Sequence, residues 1–306
     1  MPGCAVRCCK SRTPVAATVG GVDLAYLREH PRNVALLIEH QRIRSTPVRH
    51  GDSCVAERLT LDDGTDLFAK TRADAPPDFF MSEATELAWL RETGAVPVPD
   101  VIAATPEILL LEWIEPGEPT AEAAEELGRG LGALHRSGAE TFGAAWQGYI
   151  GVLPLDNTPA TSWPEFYVEQ RCRPYLRLAA DRGAFDAAEV AAIERALGRV
   201  GEPTAELPAR IHGDLWSGNV HFGRDGRAWL VDPAAHGGHR ETDLAMLALF
   251  GAPYLDRIIA SYDEAYPLAD GWRDRQPLHQ LHPLLVHAAL FGAGYAGQAL
   301  AAARTL

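Results

Sequence analysis

The hydrophobic pattern of this 306-residue chain changes period at Gly117, and that change constrains the fold more than any other feature. Upstream, residues 54–61 alternate apolar and polar side chains, Asp62-Asp63-Gly64 offers a tight turn, and Leu67 to Lys70 returns as a second short run. Period-two runs joined by an Asp-Gly turn read as an antiparallel hairpin, with Lys70 at the end of its second strand. MSEATELAWLRETG, residues 81–94, follows as a helix that stops at Gly94. VPVPDVIAAT is a Pro-punctuated extended stretch, and Ile108 to Ile114 is a short buried strand closed by Pro116-Gly117. Ahead of the hairpin, DLAYLREHPRNVALLIEHQ has helical spacing with a break expected at Pro31. Downstream of Gly117, AEAAEELGRGLGALHRSG is helical, and helical patterns return at 163–182, 186–200, 242–250 and 281–304. Strand-like pieces interrupt them only at Ile211, 220–222 and 229–231. The expectation is a small α+β unit followed by a mostly helical one built around a short β-region.

A chain of this length can bury a sizeable core, as two domains or one large one. Its 47% apolar and 23% charged residues are ordinary for a globular protein. The net charge of −13 argues against a broad basic face that grips nucleic acid. A small phosphate-bearing ligand is still allowed, because one Lys or a bound Mg²⁺ reverses the local field. With no run of eighteen apolar residues and no secretory signal pattern, the expected location is cytoplasmic, with no membrane partner. The five cysteines, Cys4, Cys8, Cys9, Cys54 and Cys172, are an odd number without CxxC spacing, which argues against a disulfide framework or a structural zinc site. Residues 1–22, carrying three of them, are expected to form a disordered leader.

Within the β-region lies HGDLWSGN, His212 to Asn219, where an acid and an amide are five positions apart; thirteen further on, AWLVDP places Asp232 directly after an apolar strand. Protein kinases use an H-x-D-x-x-x-x-N loop whose Asp receives the proton of the attacked hydroxyl and whose Asn holds Mg²⁺, followed by a second strand-borne Asp on the metal. Here Gly213 separates His from Asp, and DPA stands where kinases carry DFG. Phosphoryl transfer needs in-line positioning and cations more than covalent help. The pattern therefore casts Asp214 as catalytic base, Asn219 and Asp232 as metal ligands, and Lys70, organised by Glu83, as the group that holds the nucleotide phosphates. Taken singly, each has a plainer reading: Lys70 as a solvated strand end, Glu83 as a helix-dipole acid, and His212, Asp214 and Asn219 as turn residues. The ordered set is what those readings do not explain.

On these residues the sequence resembles the fructosamine kinase (ketosamine 3-kinase) family, a branch of the protein-kinase-like fold related to aminoglycoside and choline kinases. The likeness rests on HGDLWSGN and on VDPAAHGGHRETDLAML at 231–247. It extends to LFAK, FYVEQRCRP at 166–174 and DRQPLHQLHPLL at 274–285, and runs from about residue 23 to the end. It implies a two-lobed α+β fold: a nucleotide-binding lobe over 23–111, a hinge over 112–116, and a catalytic and substrate lobe over 117–306. It also implies ATP and Mg²⁺ as cofactors, and phosphorylation of the 3-hydroxyl of a ketosamine, whose unstable product breaks down and frees the amine. The acceptor would be a small-molecule ketosamine or a glycated protein amine. By position, Lys70 and Glu83 would form the nucleotide-orienting pair, and backbone groups of Glu112, Trp113 and Ile114 would meet adenine. Members with a Gly-rich loop over the phosphates have several glycines there, whereas RHGDSC offers only Gly51. Cys54 next to it is either a small strand residue or, as in some members, the thiol of a redox-linked homodimer; otherwise the chain is a monomer.

On the substrate side, Trp216 lies between the proposed base and metal ligand, where a flat ring could stack on a sugar. His212 and Glu241 join it as candidate substrate contacts; Glu241 and Asp243, near the start of the next helix, could anchor the site loop, bind the substrate amine or cap that helix, and a structural role is the preferred reading for Asp243. His236 and His239 lack a matched carboxylate pair and read as loop residues rather than metal ligands. Two other functions fit the pattern: a same-fold phosphotransferase acting on an aminoglycoside or choline-type alcohol, and a nucleotide-binding pseudokinase serving as an interaction module. The second has no need for Lys70, Asp214, Asn219 and Asp232 together.

Overall fold

A computed structural model describes residues 23–40, 43–48, 54–201 and 206–306. The leader 1–22 and Gly51 lie outside them. The N-terminal part opens with α1 (Leu24–Glu29) and α2 (Val34–His40), separated by a 3₁₀ turn that begins at Pro31. This is the break that the missing amide of proline predicts.

Five strands follow: β1 (Arg44–Pro47), β2 (Val55–Thr60), β3 (Asp66–Thr71), β4 (Val101–Ala104) and β5 (Ile108–Glu112). They form one antiparallel sheet in the order β1-β2-β3-β5-β4. The β2–β3 hairpin turns at Gly64, whose φ of 85° is the left-handed conformation that glycine adopts without penalty. Register places Lys70 between Ala56 and Leu109. Because strand side chains alternate, Leu67 and Ala69 point into a small core with Leu27, Leu59 and Ile102, and Lys70 points to the other face. On that face packs α3 (Phe79–Arg91), which starts two residues before the predicted Met81 because Phe79 and Phe80 anchor it in the main core. The earlier start moves Glu83 from the first turn to the second.

At Gly117 the chain is pinned to the β-region of the helical part. The Gly117 amide donates to the Phe222 carbonyl at 2.8 Å, and a Cβ on Gly117 would lie 2.5 Å from the Gly223 carbonyl oxygen. The helical part then runs through α4 (Ala121–Arg136), capped by the Thr120 side chain, the hairpin β6 (Gly148–Ile150) and β7 (Leu153–Leu155), and α5 (Trp163–Phe166). A π-helical turn, Tyr167–Cys172, joins α5 to α6 (Arg173–Asp181), and α7 (Ala187–Leu197) follows. In the π turn, Arg171 is buried and donates to the Asn157 side chain and the Asp156 carbonyl, tying down the 156–157 loop.

Next come β8 (Ala209–Ile211), β9 (Val220–Phe222), β10 (Ala228–Leu230) and β11 (His236–Gly238), paired as β8–β11 and β9–β10. The pairing sets Asp214 and Asn219 in the β8–β9 connection and Asp232 just beyond β10. The fold closes with α8 (Glu241–Phe250), α9 (Leu255–Ala265), α10 (Trp272–Phe291) and α11 (Ala293–Arg304).

The helical part departs from the sequence pattern in its strands, where β6, β7 and β11 add to the expected pieces, and in its helices. The single helix expected over 281–304 is two, bent at Gly292 (φ 82°), and α10 begins nine residues earlier in spite of Pro277 and Pro283. Burial of Leu281, Leu284, Leu285 and Val286 against neighbouring helices outweighs the lost amides. The unforeseen helix is α9, which lies against α4 at Gly128, where a Cβ would meet the Ile258 carbonyl at 2.2 Å. No helix among the described residues is long and apolar enough to cross a membrane.

Candidate active site

Lys70 is 4% exposed at the bottom of a cleft of about 750 Å³. Its Nζ donates to Glu83 Oε1 of α3 at 2.7 Å and to Asp232 Oδ1. Burial disfavours its charge, but the Asp232 and Glu83 carboxylates outweigh that and hold its pKa above that of an ordinary lysine. The sequence order Lys70, Glu83, Asp232 thus becomes a three-membered ion cluster joining the sheet, α3 and the β10 exit.

The loop from His212 to Asn219 is held from beneath. Asp243, fully buried near the start of α8, accepts the His212 amide at 2.7 Å, the Gly213 amide at 2.9 Å and His135 Nε2 at 3.1 Å. Burial raises its pKa, and the hydrogen bond from His135 and the nearby histidines more than reverse this, so the carboxylate stays ionised. Gly213 adopts φ 82°, and a Cβ there would sit 2.1 Å from the Ala234 carbonyl oxygen. His212 is itself fully buried: Nε2 donates to the Val231 carbonyl at 2.9 Å and Nδ1 accepts the Asp214 amide at 3.3 Å. With both ring nitrogens engaged inside the loop, His212 is not in the cleft, and the expected substrate contact gives way to a scaffold contact.

Asn219 Nδ2 donates to the Asp214 carbonyl at 2.8 Å, to Asp214 Oδ2 at 3.0 Å and to the Asp232 carbonyl at 3.3 Å. One amide thus locks the two acids to each other. Desolvation raises the Asp214 pKa to about 7; the Asn219 hydrogen bond opposes this, and Asp232 and Asp243 add to it. Asp232 has φ 52°, a conformation uncommon for a residue with a side chain. Four acids, Glu83, Glu86, Asp214 and Asp232, line the cleft, and Lys70 is the only lysine or arginine among the described lining residues. The Asn219 amide oxygen and the Asp232 carboxylate are a donor set suited to a hard divalent cation such as Mg²⁺.

Trp216 lines the cleft and is 38% exposed, with its ring folded over Gly218 so closely that a Cβ on that glycine would be 2.2 Å from it. Cys54, partly buried at the start of β2, also reaches the cleft wall. Other expected site residues lie elsewhere. Glu112 accepts the Asp100 amide, Trp113 donates to Glu115 at 2.9 Å under the Arg58 guanidinium, and neither they nor Ile114 line this cleft. Glu241 is buried and takes two hydrogen bonds from Arg275, at 2.6 and 2.9 Å. That pairing withdraws it from substrate; it forms a cluster with His239 and His279, both buried.

One site residue went unnoticed in the sequence. Glu86 lies one turn after Glu83, 1% exposed, and accepts from the Ala235 amide and from the Ser82 hydroxyl at 3.3 Å. Burial pushes its pKa well up. It ties α3 to the segment that follows Asp232. The i, i+3 acid pair is the available signal, and it resembles an ordinary solvated face.

A β-sheet with a lysine-acid pair, followed by a helical part with an Asp-Asn loop and a strand-borne Asp, defines a protein of the kinase-like fold. A solved macrolide 2'-phosphotransferase of Brachybacterium faecium shares that fold, with a TM-score of 0.57 over 89% of this chain and 97% of its own at 18% identity. The match to the fructosamine kinase family model over residues 34–306 is more specific. A probable ketoamine kinase of Enterococcus faecium is 35% identical over 82% of this chain and 91% of its own. The chloroplastic protein-ribulosamine 3-kinase of Arabidopsis thaliana is 30% identical over 91% and 88%. A solved Thermobifida fusca structure assigned as a fructosamine-3-kinase has 50% identity and a TM-score of 0.82 over 89% of this chain and 96% of its own. The chain belongs to the fructosamine kinase family.

Proposed function

We propose that this protein is an ATP-dependent kinase that phosphorylates the 3-hydroxyl of ketosamines, either free or carried on a glycated protein amine. Family membership and the ketoamine and ribulosamine kinase names of its relatives support the acceptor. The observation that carries the chemistry is the convergence of Lys70, Glu83, Asp214, Asn219 and Asp232 on one cleft.

In this reading residues 23–111 bind the nucleotide, 112–116 act as the hinge, and 117–306 carry catalysis and the acceptor. Lys70, held by Glu83, meets the nucleotide phosphates. Asn219, through its amide oxygen, and Asp232 hold Mg²⁺, which when bound supplies positive charge to the transferring phosphoryl group. Asp214 orients the acceptor hydroxyl and takes its proton as the oxygen attacks the terminal phosphorus and the bond to ADP breaks. A carboxyl with a pKa near 7 suits that exchange at neutral pH. Trp216 offers a stacking face to the sugar ring. Cys54 is the thiol through which a redox-linked homodimer would form.

The test is Mg²⁺-ATP turnover on a panel of ribulosamines, fructosamines and aminoglycosides, with Asp214→Asn as control. Turnover confined to ketosamines and lost in the variant supports the proposal. Phosphorylation of aminoglycosides alone, or full activity in Asp214→Asn, refutes it.

A further inference from the structure

Part of the lining of the same cleft is a connected series of rings. Trp216, two residues from Asp214, meets Phe250 edge-on with ring centres 6.3 Å apart. Phe250 lies 4.9 Å from His287 of α10, and His287 in turn contacts Phe291 at 5.5 Å and Tyr295 of α11 at 4.9 Å. Phe291 and Tyr295 flank the bend at Gly292, and Phe291 is 57% exposed although it lines the cleft. The series therefore runs from Trp216, near the proposed base, to the exposed ring of Phe291.

This wall carries no charge. His287 Nδ1 donates to the Pro283 carbonyl at 2.7 Å, and burial lowers the ring's pKa, so the imidazole is neutral at pH 7. Lys70 is committed to Glu83 and Asp232. Lys70 apart, no lysine or arginine is among the described lining residues to meet a carboxylate on the acceptor. An apolar or aromatic arm would instead exchange water for ring faces.

We infer that the Phe250–His287–Phe291–Tyr295 wall receives the amine-bearing arm of the acceptor, and that it selects ketosamines built on amines with uncharged apolar or aromatic substituents over those built on free amino acids. This rests on the ketosamine reading above and narrows its substrate class. Specificity of this kind comes from the difference in binding between arms, because the reacting 3-hydroxyl is the same in every case.

The experiment compares kcat/KM for ribulose adducts of benzylamine, ethanolamine and glycine, using the full chain with Mg²⁺-ATP. The benzylamine adduct is expected to exceed the glycine adduct by at least about tenfold, mainly through KM. Phe291→Ala and Tyr295→Ala should each bring the benzylamine-to-ethanolamine ratio toward one. The exposure of Phe291 makes the first of these a change the fold absorbs. Turnover of all three adducts without preference, or a ratio unchanged in both variants, overturns this inference alone. Absence of turnover on every adduct overturns the ketosamine reading and the inference with it.

Discussion

Lys70 and Asp232, 162 residues apart in the chain, form an ion pair at the bottom of the cleft, and Asp232 makes it from a left-handed backbone conformation. The carboxylate proposed to hold a cation is thus already neutralised by a fixed one, so metal and lysine compete for it. Lys70→Met should raise the nucleotide KM and also lower the melting temperature, by bringing Glu83 and Asp232 together without the ammonium between them. Mg²⁺ should then stabilise the variant more than the wild type. Thermal melts with and without Mg²⁺ check this, and equal Mg²⁺ shifts in both proteins would count against the competition.

The raised pKa of Asp214 has two consequences of known sign. For turnover, a base must be ionised, so kcat/KM should climb with pH and level off near the value of about 7. Asp214→Asn should flatten the profile and cost about 10²–10⁴-fold in rate. For stability, a carboxyl whose folded pKa lies above its unfolded 3.8 favours the folded state below 3.8, and that advantage is lost as pH rises through about 7. Melting temperatures of Asp214→Asn relative to wild type should therefore increase between pH 5 and pH 8; a constant difference would show that Asp214 titrates normally.

Asp243 is expected to act on the fold before it acts on the reaction. Its carboxylate accepts two loop amides and His135, all buried, so Asp243→Ala leaves several donors without an acceptor. The cost should be on the order of 3 kcal/mol in denaturant unfolding. A loss under about 1 kcal/mol would mean that the loop holds itself without this support.

Glu86 can be separated from Glu83 by its protonation state. Because burial favours its neutral form, Glu86→Gln should retain nearly wild-type stability. Glu86→Ala removes the acceptor of the Ala235 amide and should loosen the Asp232 segment, read as a weaker Mg²⁺ dependence of turnover. If Gln and Ala behave alike in both assays, the tie from α3 has no role in placing Asp232.

Trp216→Ala should raise KM for ketosamines while nucleotide affinity, measured by calorimetry, stays the same. The ring lies over Gly218 and against Phe250, on the side of the cleft proposed to take the acceptor. A parallel loss of nucleotide binding would place the ring's effect in the loop rather than on the sugar.

Much of the site was legible because its residues are close in sequence or end a regular element. HGDLWSGN sets Asp214 and Asn219 by a short fixed spacing, and strand alternation points Lys70 away from the Leu67 and Ala69 core. The positions of His212 and Glu241 are not legible in the sequence, because a polar side chain in a motif looks the same whether it faces a ligand or a buried partner. The partners that decide it, Val231 and Arg275, lie 19 and 34 residues away. Glu86 was missed for the same reason, since its acceptor role exists only once Ala235 is beside it.

The sequence by itself determined the change from sheet to helix at Gly117, the β2–β3 turn, and the acid-amide-acid order of the site, because these follow from local dihedral preference, side-chain period and spacing. Only the tertiary structure decided that Lys70 meets Asp232, that Asp243 fastens the 212–219 loop, and that rings from α8, α10 and α11 line the cleft. Those relations depend on burial and on contacts between distant segments, and neither is encoded in any short stretch of the chain.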